Sequence, residues 1–142
     1  MEYKLKQISD EIRTEIIEIL KKRLENEPLL FVYLFGSFAI GSSFNDVDVA
    51  VFVDTKKLSS KPLLDYELEL EQRLSDTLKG YKVDVRVLNE APLSFRYQVI
   101  KTGLPIIIYD EDAMVDFETL TYSLYFDFAL FRKAYLKEVL GA

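Results

Sequence analysis

The sequence contains no cysteine and no histidine. Without cysteine there is no disulfide, no thiolate nucleophile and no zinc–cysteine site. Without histidine there is no Ser-His-Asp triad, no imidazole general base and no imidazole-ligated metal. Chemistry is left to carboxylates, hydroxyls, amines or a bound metal. Long apolar runs are missing as well. The longest, Leu29 to Phe35, has seven residues, against about 20 for a membrane span. The opening Met1-Glu2-Tyr3-Lys4 leads into no apolar signal stretch, so the expected location is cytoplasmic. Positive charge is in deficit, with 18 basic against 24 acidic residues and a net charge of −6. Polynucleotide binding needs a positive face, so a nucleic-acid partner is not expected. No repeat, low-complexity tract or Gly/Ser-rich linker divides the chain. Residues 1–142 are therefore expected to form one domain.

Half of the residues are apolar (49%) and 30% are charged, a balance that supports a buried core. Ser9 to Glu27 carries Ile12, Ile16, Ile19, Leu20 and Leu24 at helical spacing, with Ser9 as N-cap and Pro28 as stop. Leu29 to Phe35 has the length and continuity of a strand buried on both faces. Val47 to Val53 is a second strand after the polar loop Gly41 to Asn45. Ser59 to Pro62 announces a helix with the stripe Leu63, Tyr66, Leu70, Leu74, Leu78 and Gly80 at its C′ position. Lys82 to Leu88 alternates polar residues with valine, a strand pattern. A short helix runs from Pro92 to Gly103, then a strand from Leu104 to Tyr109. From about Asp112 to Leu140 the chain reads as one helix, with Phe117, Leu120, Leu124, Phe128, Phe131, Tyr135 and Val139 on one side. The expected fold is α/β of the α+β type: a small mixed sheet flanked by helices, with a long C-terminal helix. That helix would be about 43 Å long at 1.5 Å per residue, against about 37 Å for the width of a globule of this size. It must break, wrap or project. Its seven aromatic residues read first as core packing with a few exposed rings; the rival reading for 112–140 is a surface for another copy or a partner protein.

Asp46 and Asp48 stand at i and i+2 on one strand, so both point to one face while Val47, Val49, Val51 and Val53 point to the other. Asp84 sits in the same way between Val83 and Val85, with Lys82 and Arg86 on its side. If the two strands are neighbours, Asp84 meets the pair. Three ionised carboxylates within about 4–5 Å repel by roughly 3–4 kcal/mol per pair at an effective dielectric of 20. Raised pKa values, nearby cations or a divalent metal would offset this, and an all-oxygen site favours Mg²⁺ or Mn²⁺. A solvated sheet face on which the aspartates never converge is the alternative. Gly36-Ser37, after the buried strand, offers close backbone approach and a hydroxyl donor to a phosphate. Phosphate donors beside a carboxylate-held metal make a nucleotide site, and phosphoryl transfer there requires neither histidine nor cysteine.

Gly36-Ser37, the spacer Phe38 to Asn45, Asp46-Val47-Asp48 and Val83-Asp84-Val85 together resemble the nucleotidyltransferase superfamily of polymerase β-like fold. Its motif is Gly-Ser, a spacer, Asp-x-Asp and a later Asp. The segments Leu88 to Pro92, Arg96 to Val99 and Tyr125 to Phe128 are similar to the antitoxin of MNT/HEPN toxin–antitoxin systems. The resemblance implies a fold of that type and transfer of AMP from ATP to a tyrosine of a partner HEPN ribonuclease toxin. It further implies that Gly36 and Ser37 bind the nucleotide, that Asp46, Asp48 and Asp84 hold two Mg²⁺ ions, and that Asp84 completes the catalytic site. The spacer has eight residues where the family commonly has ten, and Ile40 stands where a basic residue commonly precedes the second glycine, here Gly41. Lys56, Lys57 and Lys61 are candidates for replacement charge. Two other readings stand beside it: a catalytically weak nucleotide-binding module that neutralises the toxin by docking, and a nucleotidyltransferase acting on small molecules such as antibiotics.

Overall fold

In the computed structural model, which describes residues 10–39 and 46–141, apolar periodicity and chain direction produce a three-layer arrangement. The elements in order are α1 (Asp10–Leu24), β1 (Leu29–Phe35), α2 (Gly36–Ala39), β2 (Asp46–Val53), α3 (Leu63–Thr77), β3 (Lys82–Val87), α4 (Leu93–Thr102), β4 (Leu104–Ile108) and α5 (Glu111–Leu140). The four strands make one mixed sheet in the order β3-β2-β1-β4. β1 is antiparallel to β2 and β4, while β2 and β3 are parallel. Hence the end of β1 and the starts of β2, β3 and β4 share one end of the sheet. The expected N-cap Ser9, together with Ile40, Gly41 and the rest of the loop to Asn45, lies outside the described residues. No helix among the described residues is long and apolar enough to cross a membrane.

Strand alternation divides the core. Val47, Val49, Val51, Val83 and Val85 face α1 and α3, meeting Leu20, Leu24, Leu70 and Leu74. Phe31, Tyr33 and Ala50 face the other way, toward α4 and α5, with Val99 and Phe117. Fully burying each such side chain contributes roughly 1.5–3 kcal/mol. The outer edge of β3 is occupied by side chains of α3. Glu71 and Glu67 accept from the N–H groups of Val85 and Val87, each at 2.8 Å, and the Ser75 hydroxyl lies 3.3 Å from the Val83 nitrogen. Residues four apart on a helix lie on one face, so three such positions satisfy an edge that would otherwise offer itself for pairing. Asn89 continues the ladder past the end of β3: its side chain accepts from Val53 N–H and donates to Val53 C=O, at 2.8 and 2.9 Å.

Two boundaries differ from the sequence reading. α3 is capped at Leu78, so Gly80 falls one position beyond C′; with φ +93° it turns the chain into β3. The larger difference concerns α5. Asp110 caps it by accepting from Ala113 N–H at 3.0 Å, and Glu111 and Asp112 suit the positive end of its dipole. It then runs unbroken for 30 residues. Of the expected stripe only Phe117 is buried; Leu120, Leu124, Phe128, Phe131, Tyr135 and Val139 are all exposed. Core packing is therefore the wrong reading for most of this helix. Beyond about Phe126 the reason is length. At 3.3 Å per residue a seven-residue strand spans roughly 23 Å, whereas the helix spans about 45 Å, so it outruns the sheet that would cover it.

Candidate active site

The site follows from register. Asp48 pairs with Phe35 across to β1 and with Asp84 across to β3, and Asp46 is one pleat nearer the end of β2. Because Val47 and Val49 are buried on the α1/α3 face, Asp46, Asp48 and Asp84 emerge on the α4/α5 face, at the end where β1 passes into α2. Gly36 begins α2 with φ +73°, a conformation that strongly favours glycine. A Cβ built there would lie 2.2 Å from the Asp48 Oδ2. The absence of a side chain at residue 36 is thus what lets the turn sit against the carboxylate. All three predicted aspartates and Gly36-Ser37 come together at one corner of the sheet.

The electrostatics follow from crowding. Partial burial first, then the charges of Asp84 and Asp46 and a hydrogen bond with Asp84, raise the Asp48 pKa to about 6; Arg86 pulls it back. Lys82 lies 3.6 Å from the Asp84 carboxylate. Arg86 stacks its guanidinium 4.8 Å from the Phe95 ring, and Phe95 meets Phe35 edge-on at 5.3 Å. Aromatic packing therefore holds a cation beside the acidic cluster. On the α1 side of α2, Arg13 donates to the Phe38 carbonyl and lies 4.7 Å from the Phe38 ring. Neither Lys82 nor Arg86 was assigned to the site from sequence, nor was the Arg13 contact expected. Lys82 and Arg86 carried a signal, being two residues either side of Asp84. Arg13 carried none, because only the tertiary fold brings α1 to α2.

Lys56, Lys57 and Lys61 do not supply the charge proposed for them. They follow the other end of β2, five residues or about 17 Å beyond Asp48, and Lys61 pairs with Glu69 at 2.5 Å. Among the described residues, a groove lined by Lys21, Lys22 and Ile107, among others, lies between α1 and β4, apart from these carboxylates. Nor are the carboxylates a ready-made cage: among the described residues no group of three or more acidic side chains is arranged to hold a metal ion. The donor set nevertheless suits one. Asp48 and Asp84 lie close enough for each other's charge to raise the Asp48 pKa, and a hard divalent cation held by these oxygens would offset that repulsion.

Comparison with known families bears on this corner. A family model described as polymerase beta, nucleotidyltransferase, matches residues 14–112. The chain belongs to the polymerase β nucleotidyltransferase family. The match takes in the sheet and all of Gly36, Ser37, Asp46, Asp48 and Asp84. Among solved structures, a tri-AMPylated HEPN toxin from Shewanella oneidensis in complex with MNT antitoxin is similar at 25% identity and TM-score 0.62, covering 90% of this chain and 95% of that one. A toxin–antitoxin structure with AMP-PNP is similar at 28% identity and TM-score 0.65, covering 90% of this chain and 98% of that one. No curated protein matches the chain.

Proposed function

We propose that this nucleotidyltransferase transfers AMP from ATP, with Mg²⁺, to a hydroxyl of a HEPN ribonuclease toxin and so acts as its antitoxin. The observation that carries the reading is the pairing of Asp48 with Asp84 beside Gly36. The likeness to an MNT antitoxin bound to an AMPylated toxin, and to a structure holding an ATP analogue, supports it. Gly36 lets the turn sit against the Asp48 carboxylate, which sets the Ser37 hydroxyl, a donor to the triphosphate, beside the acidic corner. Asp46, Asp48 and Asp84 are the residues that would hold Mg²⁺, two ions in the fullest version. Bound there, the metal neutralises the phosphates and stabilises charge on the departing group.

The chemistry asked of the chain is modest. The acceptor oxygen bonds the α-phosphorus, the bond from that phosphorus to the β-phosphate bridging oxygen breaks, and pyrophosphate leaves. The acceptor proton goes to a carboxylate, a role that suits Asp84, which Lys82 flanks. Asp48, with its pKa raised to about 6, is mostly ionised at neutral pH, and the positive charge of a metal held there would favour that ligand form further. Positioning and charge carry such a reaction without a covalent nucleophile.

The test uses α-labelled ATP, Mg²⁺ and a HEPN protein from the same genome. Wild type is expected to label it. The Asp46→Asn/Asp48→Asn variant is expected to lose about 10³-fold or more, since several kcal/mol of charge stabilisation are removed at 1.36 kcal/mol per decade. Inhibition of the HEPN protein that survives this variant with no label transferred would replace the proposal with the docking module.

A further inference from the structure

The exposed part of α5 has a definite place relative to the carboxylates. Phe117 packs on Phe31 at 5.3 Å, the next residue, Glu118, accepts a hydrogen bond from the Tyr33 hydroxyl, and Tyr125 stacks on Tyr97 of α4 at 3.6 Å. Successive contacts move along β1 toward Phe35, so α5 runs toward the carboxylate end on the carboxylate face. From Phe31 to Phe35 is about 13 Å of strand, or about nine residues of helix. The helix thus draws level with the corner near Phe126. Every residue from Phe126 to Leu140 is exposed, a further 22 Å or so past the end of the sheet.

This segment is unlike a solvated helix. Phe128, Phe131, Tyr135 and Val139 form one stripe, and Phe126, Leu130, Leu136 and Leu140 spread over much of the remaining circumference. A solvated helix keeps its apolar residues to one stripe, so apolar side chains spread this widely call for cover. Charge indicates what covers it. Residues 127–140 carry Arg132, Lys133 and Lys137 against Asp127 and Glu138, a net positive segment in a chain of net charge −6. A second copy in a symmetric contact would set this net positive segment against itself, whereas the solved structures similar to this chain are of toxin–antitoxin pairs. An apolar helical surface bearing acidic side chains fits better.

We infer that Phe126–Leu140 is an arm that seats the acceptor protein, through an apolar helical face with acidic flanks, and holds it beside the Asp46, Asp48 and Asp84 corner. The inference rests on the transfer reading for the identity of the acceptor, but binding is measurable without catalysis. The arm makes the corner selective, because an acceptor hydroxyl arrives there already attached.

The experiment measures binding of the HEPN protein, AMP-PNP binding and thermal stability for the full chain and three variants. Phe131→Glu/Tyr135→Glu is expected to weaken HEPN binding about 100-fold, the size of two interface anchors, with AMP-PNP binding and melting temperature unchanged. Lys133→Glu/Lys137→Glu is expected to weaken it about tenfold, with a smaller salt dependence than wild type. Asp46→Asn/Asp48→Asn is expected to bind the HEPN protein as wild type does; if it binds but wild type transfers no AMP, the transfer reading falls and the arm stands. Wild-type HEPN binding by both α5 variants overturns the arm. So does sedimentation showing a stable dimer of the chain alone that Phe131→Glu/Tyr135→Glu dissolves without affecting HEPN binding, which assigns the surface to a second copy.

Discussion

At the carboxylate corner, charge of one sign is crowded and the apolar side chains are hidden behind it; on distal α5, apolar rings are in water among charges of both signs. Both arrangements cost free energy in the isolated chain. At the corner the cost is electrostatic, visible in the reluctance of Asp48 to ionise. On α5 it is hydrophobic, visible in Phe131 at 70% exposure. On the reading proposed above, each region is completed by something added, a cation and nucleotide at one and a protein at the other. The two additions meet at the same end of the same sheet face.

The comparison is sharpened most by substituting equivalent rings on one helix. Phe117→Ala removes a ring packed on Phe31 and Phe52 and should destabilise by about 3–5 kcal/mol. Phe131→Ala, fourteen residues on, should change stability by less than about 0.5 kcal/mol. Denaturant unfolding measures both, and a large loss at Phe131 would mean that distal α5 packs on its own chain. Next in size is Gly36→Ala. The left-handed backbone alone costs roughly 1–2 kcal/mol, and the added methyl must displace the Asp48 carboxylate. AMP-PNP binding should fall together with the melting temperature, and unchanged nucleotide binding would separate Gly36 from the site.

The smallest effect concerns pH. The Asp48 pKa is raised from 3.8 to about 6, so the folded chain holds a proton there that the unfolded chain releases. That contribution to stability is present at low pH and lost as pH rises from about 4 to about 6. Without divalent cation, Asp48→Asn should flatten the dependence in this window and melt higher than wild type at pH 7. The Phe131→Ala profile should keep the wild-type shape. A wild-type profile in Asp48→Asn would show that crowding at the corner carries no strain.

Much of the corner was legible because strand periodicity is local. Val47, Val49, Val51 and Val53 declare the buried face, which leaves Asp46 and Asp48 on the other, and the same rule assigns Asp84 with Lys82 and Arg86. β1 was bounded correctly because Leu29 to Phe35 is buried through most of its length, between two helical layers. What was not legible depends on long-range geometry. Nothing near Arg13 marks it as a neighbour of Phe38. Lys56, Lys57 and Lys61 are close to Asp48 in sequence, but the strand carries them to the far end of the sheet. The apolar stripe of α5 was read correctly as a stripe; periodicity states which face is apolar, not whether the chain is long enough to cover it.

The most direct test of the whole account is intact-mass spectrometry of a HEPN protein from the same genome after incubation with this chain, ATP and Mg²⁺. The account predicts a gain of one or more AMP units on the HEPN protein, absent with Asp46→Asn/Asp48→Asn and much reduced with Phe131→Glu/Tyr135→Glu. An unmodified HEPN protein, under conditions where the wild-type chain binds it, would contradict it.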